Sequence, residues 1–478
     1  MSLRLVFFLA GRYFYFSAAM LFLPLFFAQG AEAVAFWKTV ALGIILGGCL
    51  CQLGKNHQGV LGLKECVLYM LLGWLVLCLM GSLPYYFTDR LDFLDSLFEG
   101  VSGITTNGAT LLAGGVTPAL ALWRSLTQWI GGFNTLLLLF TVLPQVSGEF
   151  GLNILPLDYA CGHLLRRMDR MAIRLAKIYL GMTAVFFVLY RLSGLAAFDA
   201  FNWTLAAFST GGCYLPDKQA AEVLSGLPRY VTVLCMLVTS GNFYLYERAI
   251  RNKEFSGLWR DREFHVFLLL WAAAAVLIGT HLWLVTDHDF AASMSLGIFQ
   301  SISFLSTTGI CLEPLPLWPD FDCIILFILI FCGGCMTSLA GGFKVMRFMI
   351  LFKAAKGDLY RMLHPQMVIS TQVNGRSVDS WMLARIFVLF ALYILTFLLF
   401  AAAFSFYTAT PPEAMMLSGA CLSSVGTAAS LLDTPVLFMQ LPDLAKIFCC
   451  ILMFIGRLGV FALLLILRIA YYRTHKKW

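Results

Sequence analysis

The sequence predicts an all-α polytopic membrane protein: an N-terminal pair of helices, then four pseudo-symmetric units, each ordered as spanning helix, short re-entrant helix, small polar segment and spanning helix. Three observations predict it. Apolar runs of about 20 residues, the length that crosses a bilayer, recur along the whole chain. Shorter apolar helical patterns lie between them, and each of these ends in a tract of hydroxyl residues and glycine. Composition agrees, because 60% of the 478 residues are hydrophobic and 12% charged. A soluble globular chain carries about 25% charged residues, so a water-soluble core is excluded.

The runs that predict full spans are 4–27, 35–53, 66–83, 123–143, 175–195, 228–247, 264–285, 322–353, 384–406 and 444–469, ten crossings in all. The small-residue stretch from Ala28 to Ala33 superficially suits signal peptidase. The run before it is too long for a signal peptide, contains Arg12 and is followed at once by a second run, so a retained hairpin is expected. The chain then divides into that hairpin over 1–58 and pore units over 59–145, 146–250, 251–355 and 356–478.

Charge sets the orientation. Segments 1–4, 54–65, 146–178, 248–263, 344–385 and 468–478 carry most of the 33 basic residues and fewer than half as many acids. By the positive-inside rule these are cytoplasmic, both termini included. The remaining regions, with Asp92, Asp95, Glu99, Glu313 and Asp322 among their acids, face outward. The net charge of +7 therefore records topology and not a nucleic-acid footprint. The outer acids either concentrate cations at a pore mouth or are simply solvated loop residues; both readings stand. The 14 cysteines lie mostly in apolar runs, as in Cys332/Cys335 and Cys449/Cys450, without His or carboxylate beside them. They read as small lipid-compatible side chains, and no resident metal, cofactor or disulfide framework is expected.

The short helical patterns, 92–103, 199–208, 291–304 and 412–422, end in Thr105-Thr106-Asn107-Gly108, Ser209-Thr210-Gly211-Gly212, Ser306-Thr307-Thr308-Gly309 and Ser423-Ser424-Val425-Gly426. With Gly108, Gly211, Gly309 and Gly426 taken as counterparts, the spacings are 103, 98 and 117 residues, the mark of an internal repeat. Non-helical backbone at membrane depth is tolerated only where it is buried in protein or lines a watery cavity. Glycine permits the positive φ angles that turn successive carbonyls to one side, and rings of carbonyls can replace the hydration shell of a monovalent cation. The negative ends of the short helices would point at the same cavity. Close packing by small residues is the competing explanation. It accounts for isolated tracts but not for four of them placed after non-spanning helices.

Two features mark the cytoplasmic half. The run from Asp322 is interrupted by Gly333–Gly342, whose four glycines each weaken helix by roughly 1 kcal/mol. This reads either as a loop able to obstruct a pore or as a plain kink. Arg457 lies near the middle of an apolar run beside Gly456 and Gly459. Burying it there costs at least about 2.5 to 3.5 kcal/mol, so it is expected to face a cavity or a partner, where a guanidinium would oppose cation passage.

These residues resemble the Trk/Ktr/HKT superfamily of potassium transporters, and within it the bacterial TrkH/TrkG branch, over roughly residues 60–470. The stretches that carry the likeness are Thr105 to Thr110 (TTNGAT), Leu122 to Gly132 (LWRSLTQWIGG), Ser209 to Gly212, Gly333 to Arg347 and Ile455 to Leu458 (IGRL). The resemblance implies a potassium filter formed by the four tracts. It also implies an intramembrane gating loop comprising Gly334, Thr337, Ser338, Gly341 and Gly342, with Lys344 beside it and Arg457 in the pore. It further implies a homodimer in the bacterial inner membrane, controlled by a cytosolic TrkA-like nucleotide-binding protein, with nucleotide acting only through that subunit. The chain departs from the family pattern at Met336, Leu339 and Ala340 in the loop, at SVGTAAS in the fourth filter and at Gly459. Retention of all four filter glycines favours potassium, since relatives with Ser at the first are similar to sodium carriers.

Ion uptake needs no chemistry on a substrate. A membrane enzyme would need His, Asp or Glu grouped on facing helices, and the spans contain almost none. An alternating-access carrier favours inverted repeats and midplane ionisable groups, whereas these repeats run in one orientation. A sodium- or proton-coupled symporter of the same superfamily is the alternative left open. The glycosylation sequon Asn202-Trp203-Thr204 falls inside a predicted pore helix and reads as accidental.

Overall fold

The computed structural model describes residues 3–55, 63–112, 115–142, 164–212, 220–253, 256–364, 372–373, 376–431 and 438–459. The expected unit boundaries at 58/59 and 145/146 and the C-terminus beyond Gly459 lie outside these residues. Among the described residues the regular structure is helical apart from a hairpin of two two-residue strands, Gln372–Val373 and Arg376–Ser377.

Six helices are long and apolar enough to cross a membrane, among the described residues. Two are the N-terminal pair, Arg4–Leu25 and Gly30–Leu53, which pack on each other and on the first helix of repeat 1. The other four open the repeats: Leu63–Phe87, Leu164–Leu192, Arg262–Val285 and Ser380–Phe404. Their outward faces expose Val185, Val276, Leu277, Leu398 and Leu399, surface that only lipid would leave stable.

The short helices fall where the patterns place them, as Phe93–Ile104, Ala197–Phe208, Phe290–Leu305 and Pro411–Leu422. The four inner helices that follow them differ from the expected continuous spans. The first, Pro118–Leu137, carries Arg124, Gln128 and Asn134 on its buried surface and ends in a π-helical turn over Leu138–Val142. The second is broken: Leu227–Thr239 stops, Ser240 and Gly241 turn the chain, and Phe243–Asn252 starts anew. The expected span 228–247 is therefore not one helix. Asn242 causes this locally, since its Oδ1 accepts the N–H groups of Tyr244 at 3.1 Å and Leu245 at 3.4 Å as an N-cap. The third stops at Cys332 and resumes as Val345–Leu363, the break expected from its glycines. The fourth is described as Asp443–Leu458, and the rest of the expected span to 469 lies outside the described residues.

Each inner helix packs against its own pore helix and against the pore helix of the next repeat, and the fourth packs back on the first. The four units thus close into a ring, with the pore helices inside and the opening helices outside.

Candidate functional site

Every pore helix ends in the same way. The residue after the last helical one, Thr105, Ser209, Ser306 or Ser423, has φ of −78°, −79°, −75° or −87°. The next residue is left-handed although none is glycine: Thr106 at φ 52°, Thr210 at 56°, Thr307 at 57° and Ser424 at 58°. The N–H that follows reaches back five residues, Asn107 to Ser102 O at 2.9 Å, Gly211 to Ala206 O at 3.0 Å, Thr308 to Ser303 O at 2.9 Å and Val425 to Ala420 O at 2.9 Å. This is Schellman closure, which satisfies helix-end carbonyls and turns the chain sharply off the helix axis. Threonine in the left-handed region is strained by on the order of 1–3 kcal/mol. Its recurrence at three of four equivalent positions marks a conformation imposed by the ring.

The left-handed hydroxyl residue gives the repeats a common origin, and it corrects one register. Two residues on lie Gly108, Gly212, Gly309 and Gly426, so the glycine of repeat 2 that matches Gly108 is Gly212. Gly211 matches Asn107, Thr308 and Val425 instead. Gly108, Gly212 and Gly309 have φ of 81°, 63° and 73°, whereas Gly426 opens a 3-10 turn through Ser430, the structural counterpart of the divergent SVGTAAS tract. Adjacent segments touch around the ring. A Cβ on Gly211 would lie 2.6 Å from the Gln128 side chain of repeat 1, and one on Gly212 would lie 1.8 Å from Thr308 O of repeat 3. Thr427 Oγ1 donates to Gly309 O at 2.7 Å, joining repeats 3 and 4. Repeat 4 meets repeat 1 where the Gly426 N–H donates to Asn107 O at 2.6 Å and Asn107 Nδ2 donates to Ala420 O at 2.9 Å. The four segments that carry the predicted filter residues are thereby joined repeat to repeat.

A buried ion pair supports the first segment. Arg124 on the inner helix lies 2.5 Å from Glu99 Oε2 on the pore helix, with neither side chain exposed. The guanidinium also donates to Glu99 O at 2.8 Å, Ser102 Oγ at 3.2 Å and Ala109 O at 2.5 Å. Glu99 Oε1 accepts from Leu111 N–H at 2.5 Å and Thr110 Oγ1 at 2.7 Å. Repeat 3 has a neutral version, in which Gln300 Oε1 accepts Leu312 N–H at 3.4 Å and Ser303 Oγ donates to Ile310 O at 2.7 Å.

The sequence reading put Glu99 among outward-facing acids and did not single out Arg124. The signal was available, because a charge inside an apolar helix calls for a counter-charge nearby. Two more of those acids are taken up in pairs: Asp322 is buried and faces His281 at 2.9 Å, and Asp95 pairs with Lys446 at 2.5 Å.

The loop between Cys332 and Val345 lies directly against the base of this ring. Gly341 N–H donates to Thr307 Oγ1 at 2.6 Å, and Thr210 Oγ1 donates to Leu339 O at 3.1 Å. Gly341 also comes so close to repeat 4 that an added Cβ would lie 2.3 Å from Ser423 O. The loop holds its own shape through Ser338 Oγ, which donates to Cys335 O at 2.6 Å, and through Gly334 O, which accepts Val345 N–H at 3.2 Å. Gly342 at φ 72° folds back on Gly333. Lys344 turns its ammonium into the loop, donating to Ser338 O at 3.3 Å, Ser338 Oγ at 3.1 Å and Ala340 O. Thr337 faces away from the ring and bonds Asn242.

Arg457 is buried near the same level. Its neighbour Gly456 abuts the end of the fourth pore helix, an added Cβ falling 2.1 Å from Leu422 O. Arg457 Nε donates to Thr135 Oγ1 of repeat 1 at 2.9 Å, while its two terminal nitrogens have no hydrogen-bond partner among the described residues.

A closed ring of four re-entrant helices, their ends meeting at one central set of glycine-bearing segments inside a sheath of spanning helices, defines a polytopic membrane transport protein built on pore loops. The chain belongs to the TrkH family of cation transport proteins, whose family model matches residues 33–473. It is a family of transporters and not of enzymes. The chain is 28% identical to the Trk system potassium uptake protein TrkH of Halomonas elongata, over 99% of this chain and 100% of that one. It is 27% identical to the Trk system potassium uptake protein TrkG of Escherichia coli K12, over 94% and 93%. The crystal structure of the potassium transporter TrkH from Vibrio parahaemolyticus superposes with a TM-score of 0.88 at 25% identity, covering 98% of this chain and 99% of that one.

Proposed function

We propose that this chain takes up potassium across the bacterial inner membrane through the ring formed by Thr105–Gly108, Ser209–Gly212, Thr307–Gly309 and Ser424–Gly426. The observation that carries the reading is the common left-handed turn at Thr106, Thr210, Thr307 and Ser424. It sends four backbone segments off four helix ends into one ring, and in this reading carbonyls of those segments face a common axis and replace water around a monovalent cation. The buried hydroxyls of Thr106 and Ser424 have no hydrogen-bond partner among the described residues and are free to take part. The potassium named for the relatives supports the choice of ion.

In this reading the loop from Gly334 to Gly342, gripped by Lys344, is the gate, and Arg457 adds an electrostatic barrier beside it. The basic segments face the cytoplasm together with both termini. There the protein works as a homodimer under a TrkA-like nucleotide-binding subunit, which alone binds nucleotide.

The test is growth at low potassium, with rubidium and sodium uptake, in a strain lacking its own potassium uptake. Wild type should rescue growth and favour rubidium, and Gly108→Ser should admit sodium. Failure to rescue growth with and without candidate regulatory subunits overturns the reading.

A further inference from the structure

The far side of the loop is held by two elements outside the four segments that end the pore helices. The first is the broken inner helix of repeat 2. Breaking a helix at membrane depth frees backbone carbonyls that must find donors inside the protein. Here the donors are loop amides: Cys335 N–H donates to Ser240 O at 2.9 Å and Leu339 N–H donates to Thr239 O at 3.2 Å. Just beyond, Asn242 Oδ1 accepts the Thr337 hydroxyl, and Phe243 N–H donates to Thr337 O at 3.3 Å.

The second element is Glu263, in the first turn of the repeat 3 opening helix Arg262–Val285. Its side chain is fully buried, a costly position for a carboxylate without donors. One of its oxygens accepts Met336 N–H at 2.6 Å. Both elements therefore bind the same stretch, Cys335–Leu339, whose other face meets Thr210 through Leu339 O.

We propose that Glu263 and the break Thr239–Asn242 form a latch that holds the loop against the filter base, with Glu263 and Asn242 as positioning residues for the gate. The proposal rests on the reading of the loop as the gate of a cation pore. It explains why the second inner helix is broken where it is: the free carbonyls and the Asn242 cap form the receptor for the loop. It also accounts for a buried acid at a helix start whose nearest amide donor belongs to another segment.

The experiment uses the full-length chain in proteoliposomes without any soluble partner, reading rubidium and sodium flux. Glu263→Ala removes the acceptor of Met336 N–H and should raise basal rubidium flux roughly tenfold, the shift expected on losing one buried hydrogen bond of the closed state. Glu263→Gln keeps a carbonyl oxygen at that place and should stay near wild type. Asn242→Ala should raise flux in the same way and carries the test if Glu263→Ala does not fold. The rubidium-to-sodium ratio should be unchanged throughout, since the filter is untouched. Unchanged flux in the variants beside a conducting wild type overturns the latch, and so does a rise in which ion preference is lost, because that is a leak. A wild type that conducts nothing, with or without a regulatory subunit, overturns the transport reading itself and the latch with it.

Discussion

Arg124 and Glu99 meet at 2.5 Å with neither side chain exposed, and through them the segment that follows the first pore helix is fixed to both that helix and its inner helix. Removing one member of a buried pair leaves the other charge uncompensated, at a cost of about 3 to 5 kcal/mol. Arg124→Met should therefore lower the melting temperature of the purified protein markedly and abolish discrimination between rubidium and sodium. The double replacement Arg124→Met with Glu99→Leu should recover part of the stability without recovering discrimination, because the guanidinium donor to Ala109 O and the acceptor for Leu111 N–H are both gone and only Ser102 Oγ still holds Ala109 O. A melting curve and a flux ratio for the three proteins decide it.

The two glycines that follow the second pore helix give a sharper comparison. Gly212 has φ 63° and lies where a Cβ would stand 1.8 Å from Thr308 O, a backbone atom of the next repeat that cannot yield without moving the ring. At Gly211 the obstacle is the Gln128 side chain, 2.6 Å away, which can shift. Gly212→Ala is expected to abolish uptake, whereas Gly211→Ala should leave a measurable fraction. Equal losses would return the register to the one that spacing alone favours.

That register shows where sequence and structure part. The four short helices, the glycine-broken inner helix and the cluster of hydroxyls were legible because each is a local departure from an apolar background: too few residues to cross, too many glycines to stay helical. A pair of adjacent glycines such as Gly211-Gly212 carries no such contrast, and only the left-handed turn at Thr210 tells them apart. The break at Ser240 was equally silent, since a single glycine and an asparagine in an apolar run do not predict a helix end. It becomes intelligible only when the loop amides that fill it are seen. Glu99, Asp322 and Glu263 were counted by side of the membrane, while their partners Arg124, His281 and Met336 lie on other segments, 25, 41 and 73 positions away.

Arg457 offers a test of electrostatics apart from sterics. Its Nε is tied to Thr135, and its terminal nitrogens have no hydrogen-bond partner among the described residues, so its charge is weakly compensated close to the base of the ring. Arg457→Ala should raise rubidium flux, and Arg457→Lys, which keeps the charge but not the fork that reaches Thr135, should raise it less. Thr135→Val removes only the tether. If the barrier comes from charge, Thr135→Val should stay nearer to wild type than Arg457→Ala; if all three rise alike, the arginine acts through packing.

Gly341 is the position at which a single methyl group should part the loop from the ring. The added Cβ would lie 2.3 Å from Ser423 O and 3.2 Å from Ser424 Cβ, inside contact distance of a pore-helix end held by Schellman closure. Two responses are available. The ring can deform, which means straining a left-handed turn already at φ 58° in Ser424, or the loop can withdraw, which gives up the bonds from Gly341 N–H to Thr307 Oγ1 and from Thr210 Oγ1 to Leu339 O. The second costs about two hydrogen bonds, roughly 1 to 3 kcal/mol net, and the first deforms several segments at once, so withdrawal wins. Gly341→Ala should thus raise rubidium flux of the chain alone several-fold with its ion preference intact, and combining it with Glu263→Ala should add little, because both changes free the same loop. A fall in flux, or a preference shifted toward sodium, would mean that the ring had yielded and that the loop is the stiffer of the two.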